Sequence, residues 1–161
     1  MDSRKPDSGL IDRETAENFG FVSRMDAIQA AILRFRLPLL SEIAKKRRGN
    51  ASLYRSVLDP NVVFSPPDLE MEFNTWHTFV IQVENRDQLR QFLASRNIET
   101  AIHYPIPIHL QPAGQYLGYR HGDFPNTERQ ADRILSLPIH QYLTGDQLGL
   151  VAKSINEFYG T

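Results

Sequence analysis

The sequence has 161 residues, 18 lysines and arginines against 19 acidic residues, and no cysteine. A net charge of −1 gives no reason to expect nucleic acid or an acidic membrane surface as a partner. The absence of cysteine excludes disulfides, thiolate metal sites and a cysteine nucleophile. Hydrophobic residues make up 41% of the chain, yet no apolar run approaches the roughly 20 residues of a membrane span and no secretory signal is present. We therefore expect a globular, cytoplasmic protein.

The N-terminal region is predicted to be a polar arm followed by helices. Residues 1–18 are polar and aperiodic, which indicates an arm or a loop. Ser23 and Asp26 have the spacing of a capping box. The apolar residues of the helix recur every three or four positions, at Met25, Ile28, Ile32 and Phe35. Because this helix is apolar nearly all round, it is either a central core helix or a helix at a subunit interface. Pro38 either kinks it or begins a second helix that runs to Leu58.

The only dense basic run of the sequence, KKRR at residues 45–48, lies within the second helical pattern. Successive positions of a helix fan around its axis, so these four charges do not form a one-sided patch. The run predicts solvated or ion-paired surface rather than a nucleic-acid interface.

Residues 59–161 indicate a small α/β domain. Residues 76–83 and 98–103 are rich in β-branched and aromatic side chains and predict strands, while residues 86–96 predict an amphipathic helix. Together they predict a β-α-β unit whose two strands can be parallel neighbours. His77 is expected to be packed within the first of these strands. Residues 135–138 predict a further short extended segment.

A long loop precedes the last two predicted helices. Residues 104–125 are rich in proline and glycine, and loops of this length inside compact domains are usually functional or disordered. The tyrosine, leucine and isoleucine content of the loop argues against disorder. A short helix is predicted from Thr127, with Gln130 completing a capping box, and the last helix from Thr144, with Gln147 completing another.

The densest polar and aromatic cluster, HYPIPIH at residues 103–109, follows the second predicted strand. Its two prolines hold the backbone extended, which limits the entropy lost on ligand binding, and its His and Tyr side chains can hydrogen-bond hydroxyls or phosphate oxygens. The alternative is a proline-stiffened connector with packed rings. A metal site at His103, His109 and His121 would require these ligands to converge, and no helical histidine pair indicates one. His140 is a further candidate for lining a pocket.

Motifs for the common catalytic mechanisms are missing from the sequence. We find no dinucleotide-binding or phosphate-binding glycine loop and no serine nucleophile elbow. The four lysines lie in the polar arm or on predicted solvated helix faces, at Lys5, Lys45, Lys46 and Lys153. None has the desolvated surroundings that allow a lysine to form a Schiff base at neutral pH.

Five segments, taken in chain order, carry a more specific pattern. They are residues 20–33 (GFVSRMDAIQAAIL), 100–112 (TAIHYPIPIHLQP), 117–119 (LGY), 125–128 (PNTE) and 135–140 (LSLPIH). With Arg47, Arg48 and Tyr54, they resemble the C-terminal part of the pyridoxal phosphate (PLP)-dependent nucleotide-sugar aminotransferases of the DegT/StrS type. The resemblance extends over about residues 9 to 158, nearly the whole sequence.

This resemblance implies the C-terminal domain of a fold-type I PLP aminotransferase, in which long N-terminal helices precede a small α/β sheet domain with a β-α-β unit and a C-terminal helix. Such enzymes are similar to aspartate aminotransferase in fold and typically act as homodimers with active sites at the interface. They transfer an amino group, usually from glutamate, to a keto sugar on a nucleotide, in cell-surface polysaccharide or amino-sugar biosynthesis. The PLP lysine lies in the N-terminal half, which the sequence does not contain. PLP is therefore implied only together with that half, as a homodimer or with a separately encoded partner, and the chain alone is expected to be inactive.

The resemblance also implies which residues contact ligands. His103 and Tyr104 match a pair that contacts the nucleotide-sugar substrate across the dimer, and His109 is implied as a further substrate contact. Ser23 and Arg24 resemble the segment that reaches the PLP phosphate of the other subunit. Val22 stands where many members have asparagine, and a valine side chain cannot donate a hydrogen bond to phosphate. No catalytic residue and no metal ligand is implied for this chain.

The predicted organisation has three parts: a polar arm or loop at residues 1–19, interface and linker helices at 20–58, and the small α/β domain at 59–161. Two functions remain open. The chain is either the substrate- and interface-contributing portion of an aminotransferase, or a non-catalytic remnant that dimerises or binds a partner through its exposed apolar helix. Val22 favours the second alternative.

Overall fold

The computed structural model describes residues 25–161, and the contacts within the chain divide it into two units. The first, here called the sheet unit, comprises Phe35–His103 and Arg133–Thr161. The second, here called the loop unit, comprises residues 25–34 and 104–132 of the described chain. The predicted arm and the Ser23 capping box lie outside the described residues.

Two helices separated by a 3-10 turn form the first described elements. Helix α1 spans Ala27–Arg36, the turn spans Leu37–Leu39, and helix α2 spans Leu40–Val57. Pro38 lies in the turn, where its fixed φ and missing N–H are tolerated, so it separates two helices rather than kinking one. No residue of α1 is buried, so within the described residues α1 is not a core helix.

The sheet has three strands in the order β1-β2-β3, and both pairings are antiparallel. Strand β1 spans Val63–Phe64, β2 spans Phe79–Val83 and β3 spans Ile134–Leu137. Helix α3, Arg86–Ser95, follows β2 where a helix was predicted. Strand β1 is so short that the sequence pattern did not indicate it.

The prediction of two parallel neighbouring strands around α3 is wrong. Residues 98–103 form no extended strand, and only Ala101 pairs with the sheet, through an antiparallel bridge to Ser136 of β3. Its N–H and carbonyl exchange hydrogen bonds of 3.2 and 2.7 Å with Ser136. Because β3 also pairs with β2, β3 lies between β2 and Ala101. The chain therefore runs in the same direction at β2 and at Ala101, but the two are not neighbours.

The apolar core of the sheet unit joins the sheet to its helices. Helix α4 spans Pro125–Arg133 and helix α5 spans Gly145–Tyr159. The fully buried side chains of the core come from α2, α3, α5 and the sheet: Tyr54, Phe79, Ile81, Leu89, Leu93, Leu135, Leu148, Ser154 and Ile155. The predicted capping box of α5 is confirmed, since Thr144 Oγ1 accepts from the Gln147 N–H and Gln147 Oε1 accepts from the Thr144 N–H. The α/β fold class predicted from the sequence is thus confirmed, with the strand order corrected.

Candidate functional site

The sheet unit contains a cavity of about 610 Å³ that is open to solvent. Its wall brings together side chains that are far apart in the sequence. The hydrogen-bonding side chains include Arg47, His77, His103, Ser136 and His140. Among these residues only His103 was expected from the sequence to contact a ligand, and His140 was expected to line a pocket.

His103 is an exposed residue whose ring is oriented by β3. Its Nδ1 shares a hydrogen bond of 2.8 Å with Oγ of Ser136. Ser136 is itself buried, and its backbone is fixed by pairing with both Val80 and Ala101. The hydroxyl that holds the imidazole therefore sits on a rigid strand, and the ring cannot rotate without losing this bond.

Arg47 fixes another part of the wall. Its Nη1 donates to the carbonyl oxygens of Trp76, at 3.0 Å, and His77, at 2.9 Å. Trp76 has a φ of 49°, a left-handed conformation that is costly for a bulky side chain and needs such surrounding contacts. The expectation that His77 is packed within a strand is wrong, because His77 is exposed and precedes β2.

The basic run at residues 45–48 is partly engaged within the sheet unit. Besides Arg47, Arg48 donates to the Asn74 carbonyl at 2.8 Å and to the Asp68 carboxylate at 3.1 Å. Its guanidinium also lies 5.0 Å from the centre of the Phe73 ring. Two of the four charges are therefore committed to holding the segment before β2, in agreement with the ion-paired surface expected from the sequence.

In the loop unit, the side chain of Glu128 on α4 gathers donors from several points of the 104–124 loop. His109 Nε2 donates to Oε1 at 2.9 Å, and the N–H of Gly122 lies 2.9 Å from both carboxylate oxygens. The N–H of Phe124 donates to Oε1 at 3.3 Å, and Nδ1 of the exposed His121 lies 3.4 Å from Oε2. Glu128 and His109 are both buried.

Burial of Glu128 opposes its ionisation, but the hydrogen bonds from Gly122, His109 and Phe124 outweigh that effect and hold the pKa of this carboxyl below its usual value. The carboxylate is therefore ionised at neutral pH and acts only as an acceptor, which fixes Nε2 of His109 as a donor. The hydrogen bond to Glu128 therefore occupies Nε2 of His109. The ring of His109 also packs against the ring of Phe124, with 4.7 Å between the ring centres.

The sequence analysis predicted neither Ser136 nor Glu128 as a site residue, although the sequence around each has an unusual feature. Ser136 is a lone hydroxyl between two leucines of a buried strand. Glu128 lies next to Thr127, which was predicted to form a capping box with Gln130 at the start of a helix. That prediction is wrong, since α4 begins at Pro125, a residue favoured in the first helical turn, and Glu128 accepts from the N–H groups that precede the helix.

The remaining candidate residues are placed as follows. Tyr104 is exposed in the loop unit, with a relative exposure of 63%. His140 is exposed at the cavity of the sheet unit. Ser23 and Arg24 lie outside the described residues. Among residues 25–161, no three His, Asp or Glu side chains converge as a metal site would require, and no helix is both long and apolar enough to cross a membrane.

The lysines of the described region are all exposed. Lys45 and Lys46 lie on α2 and Lys153 lies on α5. None of the three therefore has the desolvated surroundings that activate a lysine as a nucleophile.

Comparisons with known proteins give a consistent result. A transaminase of Streptomyces venezuelae, named dTDP-3-amino-3,4,6-trideoxy-alpha-D-glucose transaminase, is 37% identical over 154 residues, which cover 93% of this chain and 40% of the transaminase. A protein of Geobacillus stearothermophilus named pleiotropic regulatory protein is 37% identical over 143 residues, covering 87% of this chain and 38% of that protein. The crystal structure of S. venezuelae DesV in complex with a ketimine intermediate is 34% identical and superposes with a TM-score of 0.81, over 95% of this chain and 42% of DesV.

The chain thus spans about two fifths of the length of the relatives that it matches. The profile of the DegT/DnrJ/EryC1/StrS aminotransferase family matches residues 7–156, nearly the whole sequence. The fold of this chain is therefore similar to that of about two fifths of the DesV chain. The chain belongs to the DegT/DnrJ/EryC1/StrS aminotransferase family.

Proposed function

We propose that this chain is the substrate- and interface-contributing portion of a PLP-dependent aminotransferase that acts on a nucleotide-linked keto sugar. Glutamate is the amino donor, and the product enters cell-surface polysaccharide or amino-sugar biosynthesis in the cytoplasm. Residues 20–58 supply interface and linker helices, and residues 59–161 form the small domain. The working assembly is a homodimer, or a complex with a separately encoded N-terminal half.

The observation that carries this proposal is the imidazole of His103, held by Ser136 at the wall of a 610 Å³ cavity. A histidine with a fixed ring presents a hydrogen-bonding group in a defined direction, which suits the hydroxyl and phosphate oxygens of a nucleotide sugar. Relatives of this chain carry names that specify dTDP-linked and UDP-linked amino sugars. The substrate class is carried over from those names, and the position of His103 agrees with it.

The described residues do not fit the covalent attachment of PLP. Attachment requires a lysine with a lowered pKa, and Lys45, Lys46 and Lys153 are all exposed. PLP supplies the amino-transfer chemistry when it is bound, and in this proposal its lysine comes from outside the described residues. Ser23 and Arg24 are proposed to contribute to the phosphate contact.

We propose that the described residues bind the nucleotide sugar and orient the side chains that contact it. His103 hydrogen-bonds the substrate while Ser136 holds its ring, and Tyr104, the next residue, contributes an exposed phenol hydroxyl. His109 contributes through the conformation of the loop, since its Nε2 is engaged by Glu128. Arg47 holds the carbonyls of Trp76 and His77 and so keeps another part of the cavity wall in place.

Amino transfer from glutamate to UDP- and dTDP-linked keto sugars tests the proposal. We expect turnover by the protein purified from its native cell and none by the isolated 161-residue chain. His103→Ala is expected to raise the KM for the nucleotide sugar about tenfold, the effect of losing one hydrogen bond to a polar ligand. Glu70→Gln, which changes an exposed side chain far from His103 in the sequence, is the matched control. Turnover by the isolated chain would contradict the proposal.

A second candidate function is a non-catalytic dimerisation or partner-binding module. It is favoured by the apolar residues of α1 that remain exposed, among them Ile28 at 75%, Ile32 at 53% and Phe35 at 79%. Contiguous apolar surface of this kind marks interaction sites. The name of the G. stearothermophilus relative, a regulatory protein, is in keeping with such a role.

The size of the native polypeptide separates the two candidates. An antibody against residues 135–140 is used on extracts of the native cell. A band well above 18.5 kDa, together with turnover, supports the aminotransferase. A band at 18.5 kDa, a self-associating chain and loss of association in Ile32→Asp support the module.

A further inference from the structure

Residues 104–124 include only short 3-10 turns, at Ile108–Leu110 and Pro112–Leu117. The backbone hydrogen bonds within this loop join residues three apart, as from the Leu110 N–H to the Pro107 carbonyl and from the Asp123 N–H to the Arg120 carbonyl. Such bonds shape each turn but do not connect the first turn with the segment that precedes α4. Another interaction must hold these two parts of the loop together.

Two contacts make that connection: the rings of His109 and Phe124, whose centres lie 4.7 Å apart, and the carboxylate of Glu128, which gathers hydrogen bonds from both parts. The carboxylate accepts from His109 at one end of the loop and from Gly122 and Phe124 at the other, with distances of 2.9 to 3.3 Å. Gly122 has a φ of 98°, a conformation that favours glycine and that aims its N–H at both carboxylate oxygens. A buried carboxylate with several N–H donors is a strong, directional anchor.

Holding His109 in place also restricts Tyr104, because the two residues are joined by a short segment of chain. The four residues between them are Pro105, Ile106, Pro107 and Ile108, and Pro107 has the extended dihedral angles of φ −54° and ψ 146°. Proline fixes φ at two of these four residues, and Ile108 already belongs to the first 3-10 turn, so few backbone angles between Tyr104 and His109 are left free. Fixing the ring of His109 therefore restricts the positions that are open to Tyr104.

We propose that Glu128 is a positioning residue for the substrate-contacting segment Tyr104–His109. This inference rests on the proposed function, because Tyr104 is a substrate contact only if the chain serves a nucleotide-sugar aminotransferase. Glu128 itself touches no substrate in this scheme. It holds His109, and the proline-stiffened segment then presents Tyr104 in the binding conformation before the substrate arrives.

Glu128→Gln tests the proposal in the protein purified from its native cell. Glutamine has the same length but turns one acceptor oxygen into a donor, which faces the N–H groups of His109 or Gly122. We expect the KM for the nucleotide sugar to rise about 10- to 100-fold, the effect of a mispositioned binding group, with a much smaller change in kcat. The half-reaction with glutamate alone should keep its rate, because it requires no sugar-binding segment. Glu70→Gln should behave as wild type in both.

NMR of the 161-residue chain reports on the anchor independently of activity. The wild type should show a slowly exchanging Nε2 proton of His109, and Glu128→Gln should lose it. Glu128→Asp, which keeps the charge but shortens the side chain by one methylene, provides a second variant if the glutamine variant does not fold. It too should lose the proton and raise the KM for the sugar.

The outcomes separate this inference from the function on which it rests. If the wild-type protein transfers no amino group to any nucleotide sugar, the proposed function fails and the inference fails with it. If the wild type is active and either variant loses the His109 proton without a change in the KM for the sugar, only the inference is overturned. An equal slowing of the glutamate half-reaction would also overturn it, because that result indicates a general structural defect.

Discussion

In the sheet unit, the fully buried ring of Phe79 contacts the rings of Tyr54 and Trp76 at centre distances of 5.1 and 5.4 Å. In residues 104–132, by contrast, the only buried apolar side chains are those of two alanines. The other buried side chains there are polar, those of His109 and Glu128. Apolar burial is non-directional and tolerates small shifts, whereas hydrogen bonds to a carboxylate require each donor in its place. The comparison indicates that an apolar core stabilises the sheet unit, whereas the buried part of the loop depends chiefly on the hydrogen bonds of Glu128.

The largest expected effect is that of Phe79→Ala. Removing a fully buried phenylalanine leaves a cavity and should lower the free energy of unfolding by about 3–5 kcal/mol, measured by guanidinium denaturation. Phe64→Ala, at a side chain that is 55% exposed, is the control and should change it by less than about 0.5 kcal/mol. A loss below about 1 kcal/mol for Phe79→Ala would contradict the view that the apolar core dominates.

Gly114→Ala addresses close packing in the loop. A Cβ at Gly114 would lie 2.8 Å from the carbonyl oxygen of Ile108, so the backbone of the first turn must move. We expect a loss of about 1–3 kcal/mol in the free energy of unfolding, from the same denaturation experiment. Gly149→Ala, within α5 and with no atom near the added methyl group, should instead stabilise the chain by about 0.5–1 kcal/mol. Equal effects of the two substitutions would show that the loop is loosely packed.

Tyr54→Phe removes one polar link within the apolar core. The phenol hydroxyl donates to the Pro138 carbonyl at 2.9 Å, and its loss should cost about 1 kcal/mol at neutral pH. Burial raises the pKa of Tyr54 above its ordinary value of 10.0, so the unfolded chain releases this proton at lower pH than the folded one. The wild type should therefore lose stability as the pH rises above 10.0, and Tyr54→Phe should lose less. Tyr142→Phe, at a side chain that is 77% exposed, serves as control.

The last prediction concerns how the contribution of Glu128 to stability depends on pH. Its pKa is held below the usual value in the folded chain, so its contribution is complete above about pH 4.5 and is lost as the pH falls through the folded-state value. The titratable groups that face it are His109, with Nε2 at 2.9 Å, and His121, with Nδ1 at 3.4 Å. The difference in Tm between the wild type and Glu128→Gln should accordingly be constant at neutral pH and vanish in acid. A difference that persists unchanged in acid would show that the charge of Glu128 is irrelevant.

Local patterns in the sequence predicted the helices well. The helix predicted at 86–96 is found at Arg86–Ser95, and the capping box at Thr144 is present in both halves. These features depend on residues three or four apart, which the sequence displays directly. The capping box predicted at Thr127 is absent, because α4 begins two residues earlier, at Pro125. Glu128 instead accepts from the N–H of Phe124, which precedes the helix, and from His109, which is 19 residues away.

Features that depend on distant residues were not predicted. The insertion of β3 between β2 and Ala101 is set by pairing across more than 30 residues, and no local pattern specifies it. The hydrogen bond between His103 and Ser136 joins residues 33 apart, and that between Arg47 and Trp76 joins residues 29 apart. The family resemblance pointed to His103 and Tyr104, but it carried no information about the groups that hold them.

The position of β3 has a consequence for synthesis on the ribosome. Strand β2 is complete once residue 83 has been made, yet its partner on one side, β3, begins only at residue 134. During translation of the intervening 50 residues, the emerging chain carries a hydrophobic strand, FVIQV, with one unpaired edge. Such edges pair readily with other chains, and non-local pairing is slow to form. A chain truncated within this stretch keeps that edge unpaired and is prone to aggregate, whereas a released chain that extends past Leu137 contains the strand that covers it.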